Sequence, residues 1–389
     1  MQKIPNQRVQ SLDLLKGIVL LLMALDHTRD YFHAEAFIFN PLDPEATTWP
    51  IYLTRWITNF CAPAFSLLAG VSVFFVSNRR SSKESTVFLL KRGIWLIFIQ
   101  QTLINFAWYF NPAMPSIELD VIATLGVSMI VLAGLVHLPD KLVLIFSIVM
   151  IAGHNLLDNI SLDTFWWSLL HENGSFPIND HFTFTIFYPL VPWIGVMSLG
   201  YAMGGLYHKS FDPGRRKQIL LMIGISSILL FGILRGFNLY GNPTVWTDLG
   251  SFSQNLMSAL NVNKYPPSFS YLLITLGPTF IIMAISESFK GKWVDSFMMF
   301  GRIPFFFYIA HLYIIHLFAI VATELTWTGW EAMVLDEWVG DAVILKGYGF
   351  SLGVVYLIWI LVLATLYPIS KKFDHYKQNN KQKAWLSYF

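Results

Sequence analysis

The chain has 389 residues, 55% of them hydrophobic and 13% charged, with a mean hydropathy of +0.53 and 33 phenylalanines. A soluble domain carries about 25% charged residues, so this composition excludes an ordinary soluble fold and points to a polytopic helical membrane protein. The formal net charge of +2 offers little to a nucleic-acid backbone, and a single cysteine, Cys61, excludes an intrachain disulfide and a cysteine metal cluster.

The first element, residues 8–33, reads RVQSLDLLKGIVLLLMALDHTRDYFH. Its apolar run from Leu14 to Leu25 is entered through Asp13 and Lys16 and left through Asp26, His27, Arg29, Asp30 and His33. Ionisable groups are costly in lipid and face a cavity or a partner. At about 100° per residue, Lys16, Leu20, Met23, His27 and Asp30 share one stripe, with Asp13 about 60° from Lys16. One face of this helix therefore links both ends of a site. The competing reading is a helix end with interfacial charge anchors. A cleavable signal peptide fits poorly, because charges interrupt the start of the run and no small-x-small site closes it.

Further along, apolar segments of membrane-spanning length fall near 51–77, 86–110, 118–138, 141–157, 185–207, 217–238, 268–288, 303–325 and 349–370. With 12–29 they make about ten helices in one transmembrane domain over 1–389, all-α, followed by a basic tail at 371–389. Alternate connections carry the positive charge: Arg79, Arg80, Lys83, Lys91 and Arg92, then Lys141, then Lys209, Arg215, Arg216 and Lys217, then Lys290, Lys292 and Arg302. The opposite connection 158–184 has no Lys or Arg but carries Asp158, Asp163, Glu172 and Asp180, and 326–348 sets Lys346 against four carboxylates. Positive charge collects on the cytoplasmic side, so both termini are expected there. Lys264 is the main exception.

The outer loops are aromatic, with Trp166, Trp167, Tyr240, Trp246, Trp327, Trp330 and Trp338. They read as an interfacial belt or as stacking platforms for sugar rings. In segment 51–77, Pro63 is placed to kink the helix, and Ala64, Ala69, Gly70 and Ser72 permit close helix approach. Arg55, Arg235, Asn238, Lys264 and Tyr265 lie near the outer side. The cations among them anchor lipid, pair with Asp26 or Asp30, or bind an anionic group of a substrate. His311 and His316 lie five residues apart on different faces of segment 303–325, and His311 is the stronger candidate because Tyr308 precedes it by one turn. Asp26, His27, Asp30 and His33 match no specific metal-ligand spacing, and no metal is expected. A Walker loop, a G-x-G-x-x-G run and a G-x-S-x-G elbow are all missing from the sequence.

Four stretches, RVQSLDLLKGIVLLLMALDH, FCAPAFSLLAGVSVFF, NVNKYPPSFSYLLITLGP and FGRIPFFFYIAHLYIIH, together resemble the heparan-alpha-glucosaminide N-acetyltransferase-like membrane proteins over nearly the whole chain. The resemblance implies a transmembrane acyltransferase of about ten helices. It moves an acyl group, acetyl above all, from cytoplasmic acyl-CoA to a hydroxyl or amine of an acceptor across the membrane. The R-x-x-x-L-D-x-x-K-G pattern with a terminal histidine is also similar to the acyltransferase-3 proteins, whose histidine there is held to be catalytic. By that match Asp13, Lys16, Gly17 and His27 take the motif positions. The animal enzyme has an Asn-Tyr-Gly run where Asp26, His27 and Thr28 stand and a later catalytic histidine, which leaves His27 and His33 as alternatives.

Acyl transfer from a thioester needs a base for the acceptor's proton and donors for the oxyanion. His27 is the expected base, oriented by Asp26 or Asp30, with His33 second and His311 in support. Lys16, Asp13, Arg92 and Arg302 are the expected donor-binding groups, since CoA is polyanionic. The expected partners are the bilayer, acyl-CoA and a sugar or glycan acceptor, in a bacterial cytoplasmic membrane, with no nucleic acid and with homodimerisation left open. The rival is a proton-coupled transporter or flippase using the same buried groups, and the missing internal repeat weighs against it. Reporter fusions after Arg80, Arg216 and Lys292 are expected to report the cytoplasm, and fusions at Gly174 and Trp330 the outside. A cytoplasmic signal at Gly174 overturns the ten-helix arrangement.

Overall fold

The computed structural model describes residues 9–114, 116–179 and 182–389, so Lys3, Arg8 and Asp180 lie outside the described residues. Helix α1 runs Gln10–Phe32, continuing about a turn beyond the expected end at 29. Segment 51–77 is two helices, α2 (Trp49–Ile57) and α3 (Cys61–Ser77), separated by a 3₁₀ turn at Thr58–Phe60. Pro63 sits in the first turn of α3, where its missing N–H is one of the groups a helix start leaves unbonded anyway. The expected kink is therefore a break just ahead of the proline.

Helix α4 (Ser82–Ile99) starts with a capping box in which Ser81 and Glu84 satisfy each other's backbone N–H groups. It passes through a π turn at Gln100–Ile104 into α5 (Asn105–Tyr109), and Phe110 ends the run at a left-handed φ of 47°. A three-stranded sheet follows the order β1-β3-β2, where β1 is Ser116–Leu119, β2 Gly174–Asn179 and β3 Phe182–Ile186. This small sheet is an addition that the apolar segments did not announce, because its strands are short and half exposed.

The remaining helices are α6 (Val121–Leu135), α7 (Asp140–Gly153), α8 (Phe165–Leu170), α9 (Leu190–Met203), α10 (Pro213–Gly236), α11 (Phe252–Leu260), α12 (Phe269–Ile285), α13 (Lys292–Arg302), α14 (Pro304–Leu325) and α15 (Leu352–Asn379). Asp212, Ser251 and Ser268 cap α10, α11 and α12. Among the described residues, eight helices are long and apolar enough to cross a membrane, and this is an integral membrane protein. Of the ten expected segments, two fall outside that set for physical reasons: α1 is 23 residues long but carries Asp13, Lys16, Asp26, Arg29 and Asp30, and α6 stops at 15 residues without the 3₁₀ turns that lengthen α7 and α9 to 18.

The outer helices α4, α7, α10 and α15 present Ile94, Phe98, Ile145, Val149, Met222, Leu229, Leu357 and Ile360 outward, as a lipid-facing surface requires. Inside, helices meet through glycine pairs. A Cβ on Gly17 of α1 would stand 1.9 Å from the Phe297 carbonyl oxygen of α13, and one on Gly301 1.8 Å from that of Asp13. Gly70 and Gly200 do the same for α3 and α9, against the carbonyls of Met197 and Leu67 at 1.9 and 2.0 Å. Lipid tails are as apolar as leucine, so such close backbone approach is a main source of helix adhesion in a membrane. Beyond α15, residues 384–388 form a 3₁₀ turn whose Leu386 is buried, so the end of the basic tail folds back onto the bundle.

Gly17→Ala and Gly301→Ala each force α1 and α13 apart and are expected to destabilise the protein by about 1–3 kcal/mol or more, as overpacking does. Gly134→Ala in α6 meets nothing within 4 Å and is expected to be neutral. Thermal unfolding in detergent checks the contrast.

Candidate active site

A cavity of about 1140 Å³ runs through the bundle. Toward one end it is lined by Lys16 of α1, Arg92 from the middle of α4 and Phe305 at the start of α14. Where α1 ends it is lined by Asp26, Arg29, Asp30, Arg55, Lys264 and Tyr265. Lys16 and His27 lie about 16 Å apart along α1 at 1.5 Å per residue. Of the stripe on that helix, Lys16, Met23, His27 and Asp30 all face the cavity. Leu20 is instead fully buried. Lys16 donates to Ser72 Oγ at 3.1 Å, which ties its ammonium to α3.

His27 is the imidazole on the cavity wall, with Trp108 edge-on to it at 4.7 Å between ring centres. Its Nδ1 lies 2.8 Å from Nε2 of His311, and the two rings stack nearly parallel. His311 is fully buried, and its Nδ1 is 3.0 Å from the Phe307 carbonyl oxygen. A carbonyl only accepts, so His311 Nδ1 carries a proton. With both rings neutral, His311 Nε2 then accepts from His27 Nδ1–H, and the lone pair of His27 is left on Nε2. The i→i−4 backbone carbonyl of one helix thus sets the tautomer of a histidine on another.

Beside this pair lies a buried ion cluster. Arg29 donates to Asp30 at 2.5 Å and to Asp26 at 3.5 Å, and Arg55 lies 3.5 Å from Asp26. Arg55 also donates to Thr58 Oγ1 and Asn59 Oδ1 in the break between α2 and α3. Lys264 rests over the Tyr265 ring at 5.1 Å. Buried charges persist only when paired in this way. The expectation that Asp26 or Asp30 orients His27 is corrected by this geometry: both carboxylates are engaged by arginines, and the group hydrogen-bonded to His27 is His311.

The family model described as heparan-alpha-glucosaminide N-acetyltransferase, catalytic, matches residues 8–234. The chain belongs to this family. No curated protein matches it. Family members are acetyl-CoA-dependent N-acetyltransferases, so this chain is a membrane acetyltransferase and acetyl-CoA is the donor its family implies. The match spans α1 to α10 and contains His27, Asp26, Asp30 and Arg55, whereas His311 and Lys264 come from the part of this acetyltransferase beyond it.

Other residues singled out from the acetyltransferase sequence fall in three places. Arg92 joins Lys16 at the first mouth of the cavity. Asp13 and Arg302 are not among the cavity-lining residues: Asp13 packs its backbone on Gly301, and Arg302 pairs with Asp374 at 2.5 Å on the extension of α15. Arg235 donates to the carbonyls of Thr244, Ser258, Ala259 and Asn261 and clamps a loop, while Asn238 bonds Trp246 on the exposed surface. Neither lines the cavity, although Thr244 and Asn261, which Arg235 holds, do. His33, the second candidate base, ends α1, is 3% exposed and is not among the residues that line the cavity. His316 is engaged by the Ala107 and Met333 carbonyls and the Tyr31 hydroxyl.

Among the wall residues not picked out from the sequence are Trp108, Glu118 and Asp120. Glu118 is hydrogen-bonded to the Tyr109 hydroxyl. Its carboxylate and that of Asp120, at the entrance of an apolar segment, were the available signal. Trp108 gave none. Among the described residues no group of three or more His, Cys, Asp or Glu is arranged to hold a metal ion.

Arg29 is 3% exposed and serves two carboxylates. Arg29→Ala strands Asp30 and is expected to cost about 3–5 kcal/mol, as breaking a buried ion pair does. Thermal unfolding of the variant measures it, and an unchanged midpoint contradicts the pairing.

Proposed function

We propose that this acetyltransferase moves the acetyl group of acetyl-CoA, entering at the Lys16 and Arg92 mouth, to an amine or hydroxyl of an acceptor held near Arg55, Lys264 and Tyr265. The observation that carries this reading is the hydrogen bond from His27, on the wall of a cavity lined by both sets of residues, to the buried His311. His27 Nε2 takes the proton of the attacking N–H or O–H as its nitrogen or oxygen bonds to the acetyl carbon. The C–S bond then breaks, and the same proton passes to the departing CoA sulfur. His311 shares the charge that His27 gains during the transfer and keeps its tautomer, so it is a positioning residue rather than a second base.

The acceptor reading rests on chemistry at the far end. Tyr188, Tyr265 and Trp338 line it alongside Arg55 and Lys264, a mixture of aromatic faces and hydrogen-bond donors that suits a sugar or glycan. The orientation follows from the loop charges: ten helices including α1 and α6, both termini in the cytoplasm, the Lys16 and Arg92 mouth facing cytoplasmic acetyl-CoA and the other end facing out. A bacterial cytoplasmic membrane is the setting this arrangement fits.

Loss of a general base lowers turnover by about 10²–10⁴-fold. His27→Ala is expected to lose acetyl transfer to that extent while acetyl-CoA still stabilises the protein against heat. His311→Ala is expected to lower kcat less, with KM for acetyl-CoA nearly kept, and His33→Ala to leave both near the parent values. A radiolabelled acetyl-transfer assay on purified protein decides it. Turnover surviving in His27→Ala and lost in His33→Ala moves the base to His33.

A further inference from the structure

Arg92 does not face the cavity with its fork open. Its Nη1 donates to the Ser387 carbonyl at 2.8 Å and its Nη2 to the Tyr388 carbonyl at 3.1 Å. Its guanidinium also sits 5.7 Å from the Trp95 ring and 5.4 Å from the Tyr388 ring. Ser387 itself lines the cavity. The segment is held there by packing: Phe389 meets Trp95, Phe305, Phe373 and Trp385, and Leu386 is 2% exposed.

We propose that residues 384–389 are an internal plug of the donor mouth, displaced when the phosphates of acetyl-CoA take the Arg92 guanidinium from the Ser387 and Tyr388 carbonyls. The proposal rests on the reading of Arg92 as a donor-binding group. Its physical basis is competition for one edge of the guanidinium: a phosphate that grips the Nη1–Nη2 edge bidentately takes the donors that the Ser387 and Tyr388 carbonyls now hold. A phosphate gains a charge-assisted bond that a neutral carbonyl does not, which favours exchange once the donor arrives. Until then the tail closes one end of a cavity that crosses the bundle. The aromatic contacts of Phe389 are what the donor must overcome, and apparent donor affinity falls by the fraction of molecules whose tail is seated.

Hydrogen exchange of the full chain in detergent, with and without saturating acetyl-CoA, tests the displacement. Amides of 384–389 are expected to exchange faster with acetyl-CoA bound. Unchanged or slower exchange overturns the plug, slower exchange making the tail part of the donor site. The second measurement is donor affinity in Phe389→Ala, which loosens the tail and leaves Arg92 in place. Acetyl-CoA is expected to bind this variant up to about tenfold tighter, for a seated fraction near nine in ten, with kcat unchanged. Arg92→Ala added to it is expected to remove the gain. Equal affinity in parent and Phe389→Ala overturns the plug while leaving the donor site standing. Failure of acetyl-CoA to bind either protein overturns the donor reading and the plug together.

Discussion

Much of this fold follows from the need to keep the ionised groups of one buried helix paired and away from lipid. Helix α1 carries Asp26, Arg29 and Asp30 within five residues, and an unpaired charge in that setting is too costly to persist. The solution is to surround the helix. Arg29 neutralises its own neighbours, Arg55 reaches in from α2, and α3, α13, α14 and α15 close around the apolar remainder. What these walls leave open is a cavity lined on one side by the stripe of α1.

The same constraint explains the glycines. With no hydrophobic drive between helices in lipid, α1 must adhere through backbone contact, and Gly17 against Phe297 with Gly301 against Asp13 supplies that contact near one end. Gly70 and Gly200 repeat the device for α3 and α9 on the opposite wall. Rigid walls matter for the proposed chemistry, because the proton transfer proposed for His27 depends on reacting atoms held within hydrogen-bond reach. His311 reinforces this by tying α14 to α1 through a single hydrogen bond whose direction the Phe307 carbonyl dictates. The two ends of the cavity then differ in character. One is lined by Lys16 and Arg92, and the other mixes aromatic rings with a cluster of paired carboxylates and arginines.

Much of this was legible in the residues of α1. Its charges at both ends and its stripe through Lys16, Leu20, Met23, His27 and Asp30 follow from helical geometry alone, and four of those five positions, all but Leu20, face the cavity. The apolar segments likewise mark the helices, because a bilayer demands length and apolarity that composition displays directly. The short strands at 116–119, 174–179 and 182–186 were not legible, since their pairing is between residues distant in sequence. Arg235 shows the limit from the other side: a cation near the outer surface looks like a substrate ligand in sequence, yet four backbone carbonyls occupy it.

Sequence by itself determined the class of molecule, the number and rough position of its apolar segments and the one helix that concentrates ionisable groups, because each depends on local composition and periodicity. Only the tertiary structure decided which group hydrogen-bonds to His27, which cations are open to the cavity and which are spent on the fold. Those outcomes turn on contacts between residues 284 and 295 positions apart, His27 with His311 and Arg92 with Ser387, and on a carbonyl that no periodicity reveals. Hydrogen-bond direction is a property of two groups brought face to face, and the folded chain alone brings them there.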